Sequence, residues 1–392
     1  MAVVESNANR VVAHRFDRFG REWEASARGE DGERILLYLP PEFATVRGGA
    51  HPPEPLDRVV HLFAVGPLDV QADLAIEVEV SGRGVLHASM VRARVPSAER
   101  WCRRIRGMTH AQTIQDPGAR LHRRLAATAP ICVGIDPVAD HLPEDFANED
   151  PLHGIERFCE GVLEAISQIA PCTKIQSACF ERYGSSGVRT LERIMSHAKT
   201  LGLQVILDAK RGDIGISAEH YAAAAAGMDA DWVTVNGYLG EDGVAPFRAA
   251  GLGVFVLVRT SNPSGDEIQA VETSGGTVAG LVAAMVDRLG RADSGELAST
   301  GAVVGATKPE AAAALRRLMP RSPFLLPGYG AQGGGAEGVR AALDGRGGGV
   351  LVTASRSIIR AWEQDRGPWI DAVKRAAGRF AEDIQTIVED AR

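Results

Sequence analysis

From residue 131 onward, short runs of β-branched and aliphatic residues alternate with longer segments whose apolar positions recur every three or four residues. The first pattern suits strands buried on both faces, and the second suits amphipathic helices. Eight runs read as strands: 131–136, 172–176, 204–210, 232–236, 253–259, 302–306, 324–327 and 350–354. Helices fit between them; over 155–169, for example, Ile155, Phe158, Val162, Ile166 and Ile169 fall on one face. Eight such alternations over about 260 residues predict an α/β fold, a (β/α)8 TIM barrel, in preference to an open doubly wound sheet.

Residues 1–116 break this rhythm. Segments 34–39 and 59–65 read as strands, and 75–80 with 85–95 as a hairpin about Ser81-Gly82-Arg83-Gly84. The Pro-rich stretch 51–55 reads as a loop, 98–108 as a basic helix and 112–119 as a linker. We therefore expect two domains: a small α+β N-terminal appendage, 1–116, and the barrel, 117–392.

Polar residues gather where the barrel runs end: Asp136, Lys174, Asp208 with Lys210, Asn236, and Thr260 with Ser261. Barrels hold their reacting groups at that rim. The sharpest feature is Asp208-Ala209-Lys210-Arg211-Gly212-Asp213-Ile214-Gly215, which follows the apolar run 203–207. Strand alternation places Asp208 and Lys210 on one side, with Asp213 beyond a turn at Gly212. Taken alone, the cluster also fits a salt-bridged loop. A Gly-rich stretch, Pro327-Gly328-Tyr329-Gly330-Ala331-Gln332-Gly333-Gly334, and Arg356 follow the seventh and eighth runs. Barrels commonly hold phosphate there: backbone N–H groups and the Gln332 amide can donate to an anion, and Arg356 can fork onto its oxygens.

Composition adds little. The 392 residues are 45% hydrophobic and 24% charged, which gives ample core, and a net charge of −7 argues against nucleic-acid binding. Cys102, Cys132, Cys159, Cys172 and Cys179 form no C-x-x-C pair, so buried thiols in a reducing cytoplasm are expected, without zinc or disulfides. Residues 1–30 lack the apolar core of a signal peptide, and no apolar run reaches membrane-spanning length, so no membrane partner is expected.

Seven segments together carry a family resemblance: Val133-Gly134-Ile135-Asp136-Pro137, Lys174-Ile175-Gln176-Ser177-Ala178-Cys179-Phe180-Glu181, the 207–215 segment, Val233-Thr234-Val235-Asn236-Gly237-Tyr238-Leu239-Gly240, Arg259-Thr260-Ser261-Asn262-Pro263, the 327–334 segment, and Ser355-Arg356. In order and spacing, the chain from about residue 117 resembles orotidine 5′-phosphate decarboxylase, in particular its longer bacterial subfamily. The resemblance implies a cofactor-free, metal-free enzyme acting on a small nucleotide in pyrimidine biosynthesis. It implies that Asp208 faces the substrate's C6 carboxylate, that Lys210 protonates C6, and that Lys174 bridges the ribose and Asp208. Asp136 would hold a ribose hydroxyl, Ser261 would read the pyrimidine edge, and Gln332 and Arg356 would hold the phosphate. Asp213 and Ile214 would reach into a partner's site in a homodimer with shared active sites, and Ser217 would join the substrate-binding set. The chain departs from the family pattern at Ile175 and Gly237, where proline is expected, at Ser217, where threonine is, and at Ser357, where glycine is. None of these removes a charged group.

Two other readings stay open. A phosphosugar aldolase of the same superfamily also carries an Asp-x-Lys-x-x-Asp strand but uses magnesium. An idle barrel kept as a nucleotide-binding or regulatory module is the second. A fused orotate phosphoribosyltransferase is not expected, because residues 1–116 lack a two-acidic-residue diphosphate motif after an apolar strand.

Overall fold

The computed structural model describes residues 116–392 except 331, 332 and 366, together with the backbone of seven strands nearer the N-terminus. The chain divides into two compact units, Met1–Thr113 and Ile114–Arg392. In the first, Ala2–Glu5, Arg10–Arg15, Trp23–Arg28 and Arg34–Tyr38 form one antiparallel sheet in chain order. Val59–Phe63, Ala75–Ser81 and Val85–Val91 form a second antiparallel sheet, whose last two strands make the expected hairpin with Ser81 opposite Val85. The first three strands were not expected from the sequence. The loop expected at 51–55 and the helix expected at 98–108 lie outside the described residues.

The second unit is a closed barrel of eight parallel strands. They are β1 (Ile131–Ile135), β2 (Cys172–Gln176), β3 (Gln204–Arg211), β4 (Trp232–Asn236), β5 (Gly253–Arg259), β6 (Thr300–Val304), β7 (Phe324–Leu326) and β8 (Val350–Ala354). Closure comes from β8 on β1, with Val352 opposite Ile131. Strand β6 starts two residues before the expected 302, because Thr300 and Gly301 pair with Val254 and Phe255 of β5. The bare Gly301 accommodates the Phe255 ring, which would lie 2.7 Å from an added Cβ.

Period-two alternation sorts the barrel into two cores. Ile131, Val133, Ile135, Val205, Leu207, Val233, Val235, Val254 and Val256 face the surrounding helices. Cys132, Cys172, Ile206, Trp232, Phe255, Val303, Leu325 and Leu351 fill the interior with Leu121. Leu121 lies on helix Pro117–Leu125, which overturns the expected linker over 117–119. Pro117 at the first helical position has its φ already set for a helix, and burial of Leu121 anchors the turn. The helix seats against the N-terminal ends of the strands: Gly118 N donates to Ser299 Oγ at 2.9 Å, and an added Cβ at Gly118 would sit 2.3 Å from Leu297 O. Arg120 and Lys199 both bind the buried Asp231 that precedes β4, at 3.0 and 2.6 Å. No helix among the described residues is long and apolar enough to cross a membrane.

Arg316 is buried on helix Pro309–Leu318 without a carboxylate partner among the described residues. It donates to four backbone carbonyls, Ala342, Met319, Ser322 and Gly349, at 2.7–2.9 Å, and its guanidinium lies 3.6 Å from the Phe324 ring centroid. Burial pulls its pKa down to about 10, so it stays charged at neutral pH. It thereby ties the approaches to β7 and β8 together. Arg316→Met should lower stability by about 3 kcal/mol, because four buried acceptors lose a charged donor. Urea denaturation reads the loss, and a change under about 1 kcal/mol would show that the carbonyls find other partners.

Candidate active site

The interior alternation that puts Cys172, Ile206 and Trp232 at the bottom of the barrel puts Lys174, Asp208 and Thr234 two residues higher, at the mouth. They line a cavity of about 500 Å³ with Asp136, Lys210, Thr260, Ser261, Asn262, Tyr329 and Arg356. A larger cavity, about 760 Å³, opens at the opposite end, beside residues 125–130 and 346–350, and holds none of these groups.

Asp208 is the centre of the mouth, only 4% exposed. Its Oδ2 accepts from Lys174 Nζ at 2.6 Å and Gln176 Nε2 at 3.2 Å; its Oδ1 accepts from Lys210 Nζ at 2.6 Å and Thr234 Oγ1 at 2.9 Å. Burial alone would raise the Asp208 pKa, but the two ammonium groups outweigh it and hold the carboxyl at about 2. Burial likewise works against charge on Lys174, and Asp208 reverses the effect, so the Lys174 pKa lies above the usual lysine value. Both ions are therefore charged at neutral pH.

The route by which Lys210 reaches Asp208 differs from simple alternation. Between the pairs Leu207↔Val233 and Arg211↔Val235 the register slips, so that 208, 209 and 210 stand opposite Thr234 alone. Lys210 takes a left-handed backbone, φ +45°, which costs a lysine roughly 1–2 kcal/mol. Thr234 and Gln176 were missed as functional groups in the sequence. The available signal was that each lies an even number of places from an interior residue, and so must face inward.

Asp136, at the end of β1, feels burial first, and its pKa is raised although Ser355, Lys174 and Arg356 all pull it down. Its Oδ1 is buried without a hydrogen-bond partner. Gly134 makes the neighbouring approach possible, since an added Cβ would lie 2.1 Å from Ser355 Oγ. The Arg356 guanidinium, exposed at the rim, has no hydrogen bond or ion pair among the described residues. Ser261 sits on a braced turn: Gln269 Oε1 accepts from Thr260 N at 2.9 Å, and Gln269 Nε2 donates to Thr260 Oγ1 at 2.8 Å.

The Gly-rich segment folds back on itself, with Gly330 N donating to Gly334 O at 2.8 Å and Gly334 N to Gly328 O at 3.0 Å. Gln332 lies outside the described residues. Tyr329 OH donates to Asp383 Oδ2 at 2.5 Å, tying this segment to the C-terminal helix Trp369–Glu389. Burial and that carboxylate push the Tyr329 pKa up to about 12. Asp213, Ile214 and Ser217 do not line the cavity; Ile214 and Ser217 are exposed beside it. Of the departures from the family pattern, Ile175 is fully buried in the outer core, and Gly237 leaves no room for a side chain, with Val256 Cγ1 2.6 Å from an added Cβ. Ser357 lines the cavity. Nothing in the structure explains serine at 217. Among the described residues, no group of three or more His, Cys, Asp or Glu is placed to hold a metal ion.

Comparison with known proteins gives the same picture. A family model, Orotidine 5′-phosphate decarboxylase / HUMPS family, matches residues 129–366. An orotidine 5′-phosphate decarboxylase of Rhodopirellula baltica is 40% identical over 284 residues, covering 65% of this chain and 93% of its own. The Streptomyces coelicolor enzyme of the same name is 40% identical over 281 residues, covering 69% and 98%. The solved structure of Leishmania donovani OMP decarboxylase superposes with a TM-score of 0.59 at 28% identity, over 69% of this chain and 97% of that one. With the closed parallel barrel and a family match across most of it, the chain belongs to the orotidine 5′-phosphate decarboxylase / HUMPS family.

Proposed function

We propose that the barrel decarboxylates orotidine 5′-phosphate to UMP in pyrimidine biosynthesis with no cofactor, and that Asp208, Lys210, Lys174 and Asp213 carry the chemistry. The observation that carries this reading is the Lys174–Asp208–Lys210 chain of 2.6 Å contacts at the cavity mouth. Loss of carbon dioxide leaves an electron pair on C6 with no ring system to delocalise it, so the site must stabilise that charge electrostatically. Fixed ammonium groups in a part-buried site do so without reorganising. Lys210, 47% exposed toward the cavity, is the ammonium free to follow the charge and hand its proton to carbon. Lys174, more buried, keeps Asp208 ionised and aligned.

Around this centre, the unpartnered Asp136 Oδ1 suits a ribose hydroxyl, Ser261 a pyrimidine edge, and Arg356 with Gln332 the phosphate. Phosphate contacts remote from C6 supply binding energy that can lower the barrier when the loops close. The four donors on Asp208 fill its acceptor positions, which favours this charge array over a metal-binding aldolase.

The active unit in this reading is a homodimer. Ile214, Ile216, Tyr221, Tyr238 and Leu239 are exposed near the β3 and β4 ends, Tyr238 by 78%, and a second copy burying them would bring its Asp213, Ile214 and Ser217 to this cavity. We assign the chemistry to residues 117–392 and treat 1–116 as a separate appendage outside it. Buried Cys132, Cys159 and Cys172, all free, suit a cytoplasmic setting.

Purified protein should release carbon dioxide from orotidine 5′-phosphate equally with and without chelator, followed by ultraviolet absorbance; chelator-sensitive aldol activity instead would overturn the assignment. Lys210→Ala should lose at least about a thousandfold in kcat while still binding UMP. Lys210→Ala and Asp213→Ala chains should each be inactive, yet co-refolded mixtures should recover about a quarter of wild-type activity, because half the dimers then hold one intact site. No recovery would rule out shared sites. Asp208 titrates from 3.8 unfolded to about 2 folded, so its charge contributes stability that is full above the unfolded value and lost as pH falls through the folded one. The stability difference between wild type and Asp208→Asn should therefore be flat from about pH 8 to about pH 5 and shrink between about pH 4 and about pH 2. A slope near neutrality would contradict the ion cluster.

A further inference from the structure

The slip between β3 and β4 leaves three residues of one strand opposite one residue of the other. Thr234, 1% exposed, fills the gap with its side chain. Its hydroxyl accepts from the Lys210 backbone N at 2.9 Å and donates to Asp208 Oδ1 at 2.9 Å. A hydroxyl has one proton and two lone pairs, so both bonds form at once and in one sense only. At the only non-glycine residue besides Asp229 with positive φ among the described residues, this contact replaces the ladder bond that the slip removes.

From this geometry we propose that Thr234 is a positioning residue for decarboxylation: one hydroxyl locks the left-handed backbone of Lys210 and the carboxylate of Asp208 in fixed relation. The proposal rests on the decarboxylase reading and deepens it. Lys210 hangs on a flexible four-carbon stem, and its ammonium must meet C6 within hydrogen-bond reach. The stem's root is therefore the point at which the chain can restrict it. If Thr234 is removed, the Lys210 N–H is left facing an apolar group, and Asp208 loses one of its four donors. A displacement of about 1 Å at a reacting atom lowers rate by about a hundredfold.

The test compares Thr234→Val, which keeps the shape and deletes both bonds, with Thr234→Ser, which keeps the hydroxyl. Thr234→Val should lose about a hundredfold in kcat, with KM and UMP affinity within about threefold of wild type, since the phosphate and ribose groups lie elsewhere. Thr234→Ser should retain kcat within about fivefold. Circular dichroism melting of each variant shows whether the barrel persists. If Thr234→Val keeps wild-type kcat, or if Thr234→Ser is as impaired as Thr234→Val, the positioning role is overturned. A parallel fall in kcat and UMP affinity overturns it too, since that marks general disruption of the mouth. Wild-type protein that releases no carbon dioxide would instead overturn the decarboxylase reading on which the proposal stands.

Discussion

Burying the Asp208 carboxylate at the top of the barrel is the constraint that organises the mouth. A carboxylate taken out of water is tolerated only where charge and hydrogen bonds replace the solvent. Here β2, β3 and β4 each contribute: Lys174 and Gln176 from the first, Lys210 from the same strand, and Thr234 from the third. Two ammonium groups share one carboxylate, so the cluster carries a surplus positive charge. A site biased in this way is prepared for an electron pair or an anion before any arrives, and such preparation lowers a barrier at no further reorganisation cost.

The two ends of the barrel divide the work. The N-terminal end holds side chains whose partners are all structural: Leu121 as a plug, Asp231 with Arg120 and Lys199, Arg316 with its carbonyls. The C-terminal end holds groups with unused capacity, such as Asp136 Oδ1 and the Arg356 guanidinium. Strain is likewise placed at the mouth, where Lys210 adopts φ +45° at the slip between β3 and β4.

Much of this was legible beforehand. Runs of Val, Ile and Leu placed all eight strands because parallel strands are buried on both faces and carry an unbroken apolar signal. Lys174, Asp208, Lys210, Asp136, Ser261 and Arg356 do share one cavity. The sequence was silent where the controlling factor was not local. The β3–β4 slip depends on what β4 offers opposite residue 210, and a threonine within an apolar strand reads as ordinary β-propensity. The first turn of helix Pro117–Leu125 reads as linker in the sequence because its buried residues, Pro117, Gly118 and Leu121, find their partners only after the barrel closes. Arg10–Arg15 and Trp23–Arg28 were passed over because their charged and small residues dilute the apolar runs by which strands were recognised. Gly237 looked like a defect in a motif, whereas Val256 and Val282 occupy the space that a ring would need.

The bond between Tyr329 and Asp383 has a bearing on how the protein is made. The wall of the cavity that follows β7 is fastened to a helix ending at Glu389, and β1 finds its second neighbour only in β8. During synthesis Lys174, Asp208 and Lys210 leave the ribosome well before β7, β8 and Asp383, so the pocket they serve lacks its far wall until those segments have followed. A chain that has not yet formed β8 therefore offers nucleotide the charged cluster without the rim that bears Arg356, and the site is complete only once the barrel has closed.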